Sequence, residues 1–280
     1  MKKSSFFKSG SGSRKAFVSS FQKEKELKEI HQDNNTSTVK NEIFNKSSES
    51  MKELVDNCVS LTVTSPPYNI GKDSDLDLSD EEYWKMINKV FSETYRVTNS
   101  GGRLVVNVAN LGRKPYIPFS KYFTDVLTEI GFIMRGEIIW QKSKGANANF
   151  AWGSWLSASN PVIRDIHEYC LVFSKDSMKN SSGGVSTIEK DEFMESTLSI
   201  WNINPEKAKK IGHPAPFPVE LPKRFINLYS FKDDLVLDPF IGSGTTAVAS
   251  KLMQRNYVGY EINKDYIEIA NKRYKQKLVN

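Results

Sequence analysis

Two short motifs, each placed directly after a run of apolar and β-branched residues, restrict the fold of this chain more than any other feature. The strand pattern of residues 59–63 runs into Thr64-Ser65-Pro66-Pro67-Tyr68, and that of residues 235–237 runs into Asp238-Pro239-Phe240-Ile241-Gly242-Ser243-Gly244-Thr245-Thr246. In open α/β sheets, ligands bind outside the carboxyl ends of the strands. The two motifs are therefore expected to meet at one edge of a single sheet, although more than half of the chain separates them.

Helix and strand patterns alternate from about residue 50 onward, which is typical of an α/β fold with a mostly parallel, twisted sheet. Ser79 and Glu82 have the spacing of a capping box at the start of an amphipathic helix. Two strand patterns, residues 132–140 and 168–173, have no helix between them and are predicted to form one antiparallel hairpin. The other predicted elements are a short helix at 51–55, a glycine turn at 101–102 before a strand at 104–108, helices at 119–130, 218–229, 245–253 and 264–275, and a strand at 257–260.

The glycine-rich motif has the arrangement that a nucleoside cofactor requires, because a strand precedes Gly242 and Gly244 and a helix pattern begins at Thr245. Glycines permit a tight turn and close backbone approach, and the start of a helix offers free N–H groups. Glu261 lies 19 residues after Gly242, close to the spacing of about 20 at which an acidic residue contacts ribose hydroxyls. Asp238 suits an ammonium group, and the absence of a Lys-Ser/Thr pair after the glycines excludes a Walker A loop.

The proline-rich motif has the chemistry of a clamp for a planar amine. Prolines stiffen the backbone and lack N–H groups, so the Ser65 hydroxyl and the Pro66 carbonyl are candidates to accept both protons of an –NH₂ group. Tyr68 can stack on the ring that carries the amine, a contact worth about 1–3 kcal/mol per base. Neither Cys58 nor Cys170 follows a proline, so no cysteine nucleophile is predicted, and both are expected to be buried, reduced thiols.

Two polar segments without clear periodicity, residues 141–166 and 174–200, are long for a compact protein and are therefore expected to be functional. Their basic, amide and aromatic residues are of the kinds that read base edges or wedge into a base stack. The candidate DNA-binding residues are Lys72, Lys142, Lys144, Asn149, Trp152 and Arg164.

The net charge of +6 is concentrated at the N-terminus, where residues 1–28 hold eight Lys or Arg residues and two glutamates. The remaining residues are formally neutral, with 31 basic and 31 acidic side chains. A basic arm on a neutral body suits contact with a polyanion, and a solubilising tail is the open alternative. No apolar run approaches 18 residues, so no membrane span is expected, and the basic N-terminus lacks the apolar core of a signal peptide.

Taken together, the motifs resemble those of the β-class DNA amino-methyltransferases, in which the catalytic tetrapeptide precedes the cofactor motif. The resemblance covers roughly residues 45–275 and includes His167-Glu168-Tyr169-Cys170-Leu171-Val172-Phe173 and His213-Pro214-Ala215-Pro216-Phe217-Pro218. It implies a Rossmann-like methyltransferase fold with small irregular target-recognition insertions. One departure concerns the Gly-Asp pair that many members carry upstream, since Lys46-Ser47 occupies that region here.

The resemblance also implies the cofactor and the roles of the two motifs. S-adenosylmethionine would contact Asp238, Pro239, Phe240, Gly242, Ser243, Gly244, Thr245 and Glu261. A flipped base would be held by the catalytic residues Ser65, Pro66, Pro67 and Tyr68. Serine before the two prolines resembles enzymes that methylate cytosine at N4, whereas enzymes that methylate adenine at N6 more often carry aspartate there. No metal site is predicted.

Three other functions stay open at the level of sequence. The nearest is adenine-N6 methylation with the same fold and cofactor. A second is methylation of a glutamine amide in a protein, although the relatives that do so carry Asn-Pro-Pro-Tyr. A third, from another class, is a nucleotide-binding or DNA-binding module without enzymatic activity.

The predicted organisation assigns residues 1–40 to the basic arm, 41–173 to the catalytic half with a DNA-contacting loop at 141–166, 174–205 to target recognition, and 206–280 to the cofactor-binding half. The expected partner is double-stranded DNA with a short specific sequence, together with a cognate restriction endonuclease as an open possibility. A cytoplasmic monomer or homodimer is expected.

Overall fold

The computed structural model describes residues 35–69, 78–111, 115–142, 153–180, 182–206 and 217–276. Several predictions concern residues outside these ranges. They are the N-terminal arm through residue 34, the candidate DNA contacts Lys72, Lys144, Asn149 and Trp152, and residues 213–216 of the His213 motif.

Eight strands of the described residues form one sheet in the order β1-β8-β7-β2-β3-β5-β4-β6. The strands are β1 (Glu42–Phe44), β2 (Val59–Thr64), β3 (Thr98–Val108), β4 (Ile133–Gln141), β5 (His167–Ser174), β6 (Ile200–Asn202), β7 (Leu235–Asp238) and β8 (Asn256–Tyr260). All neighbours pair in parallel except β5, which is antiparallel to both β3 and β4. The prediction of a mostly parallel sheet with one antiparallel hairpin is confirmed.

Six helices of the described residues accompany the sheet. They are α1 (Asp80–Val97), α2 (Phe119–Ile130), α3 (Lys190–Ser196), α4 (Glu220–Tyr229), α5 (Thr245–Leu252) and α6 (Lys264–Gln276). The capping box predicted for α1 is present, since Ser79 and Glu82 bond to each other's backbone N–H groups. Gly131 ends α2 with a φ of 125°, a conformation that L-residues with a Cβ rarely adopt.

Apolar side chains cover both faces of the sheet, as successive residues of a strand point to opposite sides. On β3, Leu104 and Val106 pack in one cluster with residues of α1 and α2, whereas Val105 between them packs in a second cluster with residues of α4 and α5. Cys58 and Cys170 are buried free thiols, as predicted. No helix of the described residues has both the length and the apolarity to cross a membrane.

Two predictions of local structure were wrong. Residues 51–55 form turns rather than a helix, because side chains of α1 bond to their backbone: Arg96 donates to the carbonyls of Met51 and Leu54, and Glu93 accepts from the Met51 amide. The Gly101-Gly102 pair lies inside β3, next to a register irregularity in its pairing with β2. The segment 174–200, which shows no clear periodicity in the sequence, contains one short helix, α3.

Candidate active site

The two sequence motifs meet at one edge of the sheet. β2 and β7 are parallel neighbours in which Thr62 pairs with Leu237, so Ser65 and the glycine-rich turn both follow the carboxyl ends of adjacent strands. The Thr64 hydroxyl donates a hydrogen bond of 2.7 Å to Asp238 Oδ1. The predicted juxtaposition of the two motifs is therefore confirmed.

Asp238 is the polar centre of this junction. Its side chain is 1% exposed, and its carboxylate accepts hydrogen bonds from Thr246 Oγ1 at 2.6 Å and the Phe240 amide at 3.1 Å, in addition to Thr64. Burial raises the pKa of Asp238 to about 6, against the lowering effect of its hydrogen bonds. These internal partners favour a positioning role for Asp238 over the contact with an ammonium group that its place in the sequence predicts.

The glycine-rich turn is joined to the end of β8. The Gly242 amide donates to Glu261 Oε2 at 3.0 Å, and the other Glu261 oxygen accepts from the Asn263 amide at 2.8 Å. Burial raises the pKa of Glu261. Gly244 has a φ of 79°, and a Cβ on it would lie 2.6 Å from that of Ala270 in α6. The glycine-rich turn, the Glu261 carboxylate and the start of α5 thus have the arrangement that binding of a nucleoside requires.

Tyr68 is held rigidly beside Ser65. Its hydroxyl accepts a hydrogen bond of 2.8 Å from the Ala109 amide, and its ring makes an edge contact with Phe119 at a centroid distance of 5.9 Å. The Ser65 side chain also hydrogen-bonds to Tyr68. Burial, followed by the nearby charge of Glu168, raises the pKa of Tyr68 well above its usual range, so the phenol is neutral at physiological pH.

These contacts refine the predicted amine clamp. The hydrogen bond to Tyr68 fixes the Ser65 hydroxyl, and a serine oxygen has two lone pairs, so one can accept a proton from a substrate. The Pro67 carbonyl accepts a hydrogen bond of 2.7 Å from the Tyr83 hydroxyl. Tyr83 thereby anchors the proline pair to α1, and the Pro66 carbonyl is the second acceptor to be considered for an amine.

A polar network beside Tyr68 did not emerge from the sequence patterns. Glu168 on β5 accepts a hydrogen bond of 2.6 Å from Asn107 Nδ2 on β3 and forms an ion pair with Lys142. The one signal in the sequence was a polar residue, Asn107, inside the otherwise apolar run of residues 104–108. Lys142, a predicted DNA contact, has its ammonium directed to Glu168, whereas Arg164 lies half-buried in the chain that leads back to β5.

Two residues that precede the first motif also support the cofactor turn. The Ser48 hydroxyl donates to the Pro239 carbonyl at 2.8 Å, and Asn45 Nδ2 donates to the Glu261 carbonyl at 3.0 Å. Sequence reasoning missed both, because hydrogen bonds to backbone carbonyls leave no motif. They lie on either side of Lys46-Ser47, where the chain departs from the upstream pattern of the family it resembles. The described residues contain no group of three or more His, Cys, Asp or Glu residues that could hold a metal ion.

Comparisons with known proteins agree with this geometry. A family model described as DNA methylase, of the N6 and N4 type, matches residues 59–272. The type II methyltransferase M.MthZI of Methanothermobacter thermautotrophicus is 30% identical over 84% of this chain and 77% of its own length. The orphan methyltransferase M.BamHII of Bacillus amyloliquefaciens is 31% identical, over 82% of this chain and 94% of its own.

Solved structures share the fold. TTHA0409, a DNA modification methylase of Thermus thermophilus solved with S-adenosyl-L-methionine, is 27% identical with a TM-score of 0.65, over 81% of this chain and 91% of its own. The cytosine-N4-specific PvuII DNA methyltransferase is 19% identical with a TM-score of 0.67, over 85% and 88% of the two chains, and shows the fold alone. From its motifs, their meeting at one sheet edge and these similarities, we conclude that the chain belongs to the N6/N4 DNA methylase family and is a DNA methyltransferase.

Proposed function

We propose that this protein transfers a methyl group from S-adenosylmethionine to the exocyclic N4 amino group of cytosine in duplex DNA, after the base has left the helix. The observation that carries the proposal is the hydrogen bond between Thr64 and Asp238. It fixes the amine clamp that begins at Ser65 next to the cofactor turn that begins at Asp238. Positioning of two bound reactants accounts for a large part of such a rate enhancement.

The residues of the cofactor turn fit S-adenosylmethionine. The Glu261 carboxylate is suited to accept hydrogen bonds from ribose hydroxyls, and the Gly242-Ser243-Gly244 turn lets the ligand approach the backbone. The partly buried Phe240 ring is proposed to pack near the adenine. When bound, the cofactor supplies an electrophilic methyl group.

The clamp is proposed to act on the amine rather than on a ring carbon. Ser65 Oγ and the Pro66 carbonyl would accept the two amino protons, which draws the nitrogen lone pair out of conjugation with the ring. The Tyr68 phenol, fixed by Ala109 and Ser65, offers a rigid surface for stacking. Serine is a weak base near pH 7, so the proton is expected to leave the nitrogen after transfer, when the nitrogen is cationic and acidic.

The choice of cytosine over adenine rests on Ser65. The resemblance associates serine before the two prolines with N4 methylation and aspartate with N6 methylation. Adenine-N6 methylation is the second candidate, because the family comprises both activities. The Ser-Pro-Pro-Tyr motif argues against a glutamine amide as the acceptor.

Sequence selection is proposed to come from segments 141–166 and 174–205, which follow β4 and β5. The proposed partner is duplex DNA that contains a short specific site. A cognate restriction endonuclease is the proposed second partner. The proposed roles of Lys72, Lys142, Lys144, Asn149, Trp152 and Arg164 in DNA contact belong to this part of the hypothesis.

Mass spectrometry of nucleosides tests the proposal directly. The protein is expressed in a host whose DNA lacks N4-methylcytosine and N6-methyladenine, and the DNA is digested and quantified. We expect N4-methylcytosine with the wild-type protein and at least tenfold less with Ser65→Ala, with equal thermal stability of the two proteins as the control. Detection of N6-methyladenine would overturn the choice of cytosine as the target base. The absence of both methylated nucleosides, together with the absence of S-adenosylmethionine binding in calorimetry, would favour the non-enzymatic alternative.

A further inference from the structure

The loop between β4 and β5 presents an apolar side chain under backbone strain. Leu156 is 89% exposed and has a φ of 52°. A bulky residue in the left-handed region is an outlier, since its Cβ crowds the following carbonyl. Such strain persists only where the surroundings enforce it, and it concentrates at functional sites. An exposed leucine gains nothing in stability from this conformation.

Hydrogen bonds within the loop enforce the strain. The Ser154 amide donates to the Asn160 carbonyl at 2.9 Å, and the Asn160 amide donates back to Ser154 Oγ at 2.8 Å. Ser154 Oγ in turn donates to the Ser157 carbonyl at 2.7 Å. A bridge between Gly153 and Pro161 closes the loop below these bonds. The tip is therefore a compact, internally bonded unit that holds Leu156 outward.

The loop belongs to the active-site edge of the sheet. β4 runs parallel to β2 and β7 in direction, so its carboxyl end at Gln141 lies at the same edge as Ser65 and the glycine-rich turn. The Lys142 amide donates to the Ile166 carbonyl at 2.9 Å and closes the base of the excursion. Residues 153–163 carry no charged side chain, so the tip is neutral, and Trp155 and Leu156 are the large apolar side chains at its outer end.

We propose that Leu156, next to the 65% exposed Trp155, inserts into the DNA base stack and fills the gap that the extruded target base leaves. Apolar wedges of this kind are a recurring way of unstacking base steps, and base extrusion has an energetic cost that such contacts offset. The inference rests on the proposed function and adds to it the residue that keeps the duplex open. Leu156 acts on the stack around the target and makes no contact with the reacting atoms.

Substitutions at the tip separate insertion from a structural role. Leu156→Asn removes the apolar side chain and keeps a residue that tolerates a positive φ, so its thermal stability should equal or exceed that of the wild type. Leu156→Met retains an apolar side chain of similar volume. Ile163→Ala, at an 84% exposed aliphatic residue beyond the Gly153–Pro161 bridge, is the matched control.

Each variant is assayed on two duplexes that contain the target site, which sequencing of methylated host DNA defines. One duplex is fully paired, and the other has a mismatch opposite the target base, which lowers the free energy needed to extrude that base. For Leu156→Asn we expect kcat/KM to fall about tenfold on the paired duplex and less than about twofold on the mismatched one. Leu156→Met and Ile163→Ala should stay near the wild type on both. A fluorescent base analogue beside the target should show less unstacking with Leu156→Asn.

An equal loss for Leu156→Asn on both duplexes, or no loss on either, would overturn the inference while leaving the proposed function intact. A change in oligomeric state of Leu156→Asn in place of a change in kcat/KM would assign the tip to a protein interface and would also overturn it. A wild-type protein inactive on both duplexes would instead overturn the proposed function, and the inference with it.

Discussion

At the scale of single residues, the buried carboxylate of Asp238 connects the two halves of the site. Its partners come from the end of β2 (Thr64), from the turn (Phe240) and from the start of α5 (Thr246). A buried carboxylate requires such donors, because its desolvation is otherwise unfavourable by several kcal/mol. The same bonds that satisfy Asp238 therefore set the position of Ser65 relative to the glycine-rich turn.

Thr64→Val tests this connection. Valine has nearly the shape of threonine but leaves Asp238 Oδ1 with one donor fewer, so the free energy of unfolding should fall by about 1–3 kcal/mol. Since the clamp is then less firmly placed, we expect kcat to fall more than the KM for DNA rises. Thr64→Ser, which keeps the hydroxyl, should restore kcat. A loss of stability with unchanged kcat would assign Thr64 to the fold alone.

The raised pKa of Asp238 predicts a dependence of stability on pH. Burial raises it from 3.8 in the unfolded chain to about 6 in the folded protein, so between these values the folded state binds more protons than the unfolded state. The contribution of this group to the free energy of unfolding is therefore largest below pH 4 and falls as the pH rises toward 6, by at most about 1.4 kcal/mol per pH unit.

Asp238→Asn removes this titration, and urea unfolding of both proteins across pH 4–7 isolates it as a difference. We expect the wild type to lose stability relative to Asp238→Asn as the pH increases through this range. A constant difference between the two proteins would show that the carboxylate has an ordinary pKa.

At the scale of elements, the turn between β7 and α5 packs directly against α6. Gly244→Ala should be costly for two reasons, a φ of 79° and the approach of the new Cβ to within 2.6 Å of Ala270 Cβ. Gly183→Ala is the matched control, because Gly183 has a φ of 72° but nothing within 4 Å of the added atom. The left-handed conformation alone costs about 1–2 kcal/mol.

We therefore expect urea unfolding to give a loss of about 1–2 kcal/mol for Gly183→Ala and a larger one for Gly244→Ala. Calorimetry should show weaker binding of S-adenosylmethionine only for Gly244→Ala, since its turn is the proposed ligand site. Equal losses of stability in the two variants would show that α6 yields to the added methyl group.

The elements that could be predicted from the sequence are those whose cause is local. The capping box of Ser79 and the strand–turn–helix at Gly242 depend on neighbouring residues. The antiparallel pairing of β4 and β5 joins more distant residues, and it was predictable because no helix pattern lies between the two strands. The turns at 51–55 depend on Arg96, which is distant in the sequence, and propensity alone could not anticipate them. The Gly101-Gly102 pair was mistaken for a turn because irregular strand pairing uses the same residues.

The candidate site likewise divides into residues that a local motif predicts and residues that it does not. The motifs gave Ser65, Tyr68, the glycine-rich turn and Glu261, and strand topology brought them together. The sequence could not assign Asp238 to its internal partners, nor Asn45, Ser48 and Glu168 to the site, because these contacts join elements far apart in the chain. The positive φ of Leu156 has no sequence signature either, because leucine rarely adopts that conformation.

At the scale of the whole molecule, charge is distributed unevenly between the N-terminal arm and the neutral remainder. Deletion of residues 1–28 removes a net charge of +6. If this charge neutralises phosphates, DNA binding should weaken and the plot of log Kobs against log salt should flatten, by about 0.9 for each lost phosphate contact. A neutral Gly/Ser arm of equal length is the control for chain length. An unchanged slope would identify the arm as a tail without DNA contacts.

The pairing of β7 beside β2 has a consequence for how such a protein can diversify. The backbone pairing of β2 with β7 in the middle of the sheet aligns the motif proposed to hold the methyl donor with the motif proposed to hold the acceptor. A register shift of one residue would move one motif relative to the other by about 3.3 Å. The loops after β4 and β5 follow strands that do not take part in the pairing of β2 with β7. If those loops select the target as proposed, new target preferences can arise by exchanging them, while the distance over which the methyl group travels is inherited unchanged.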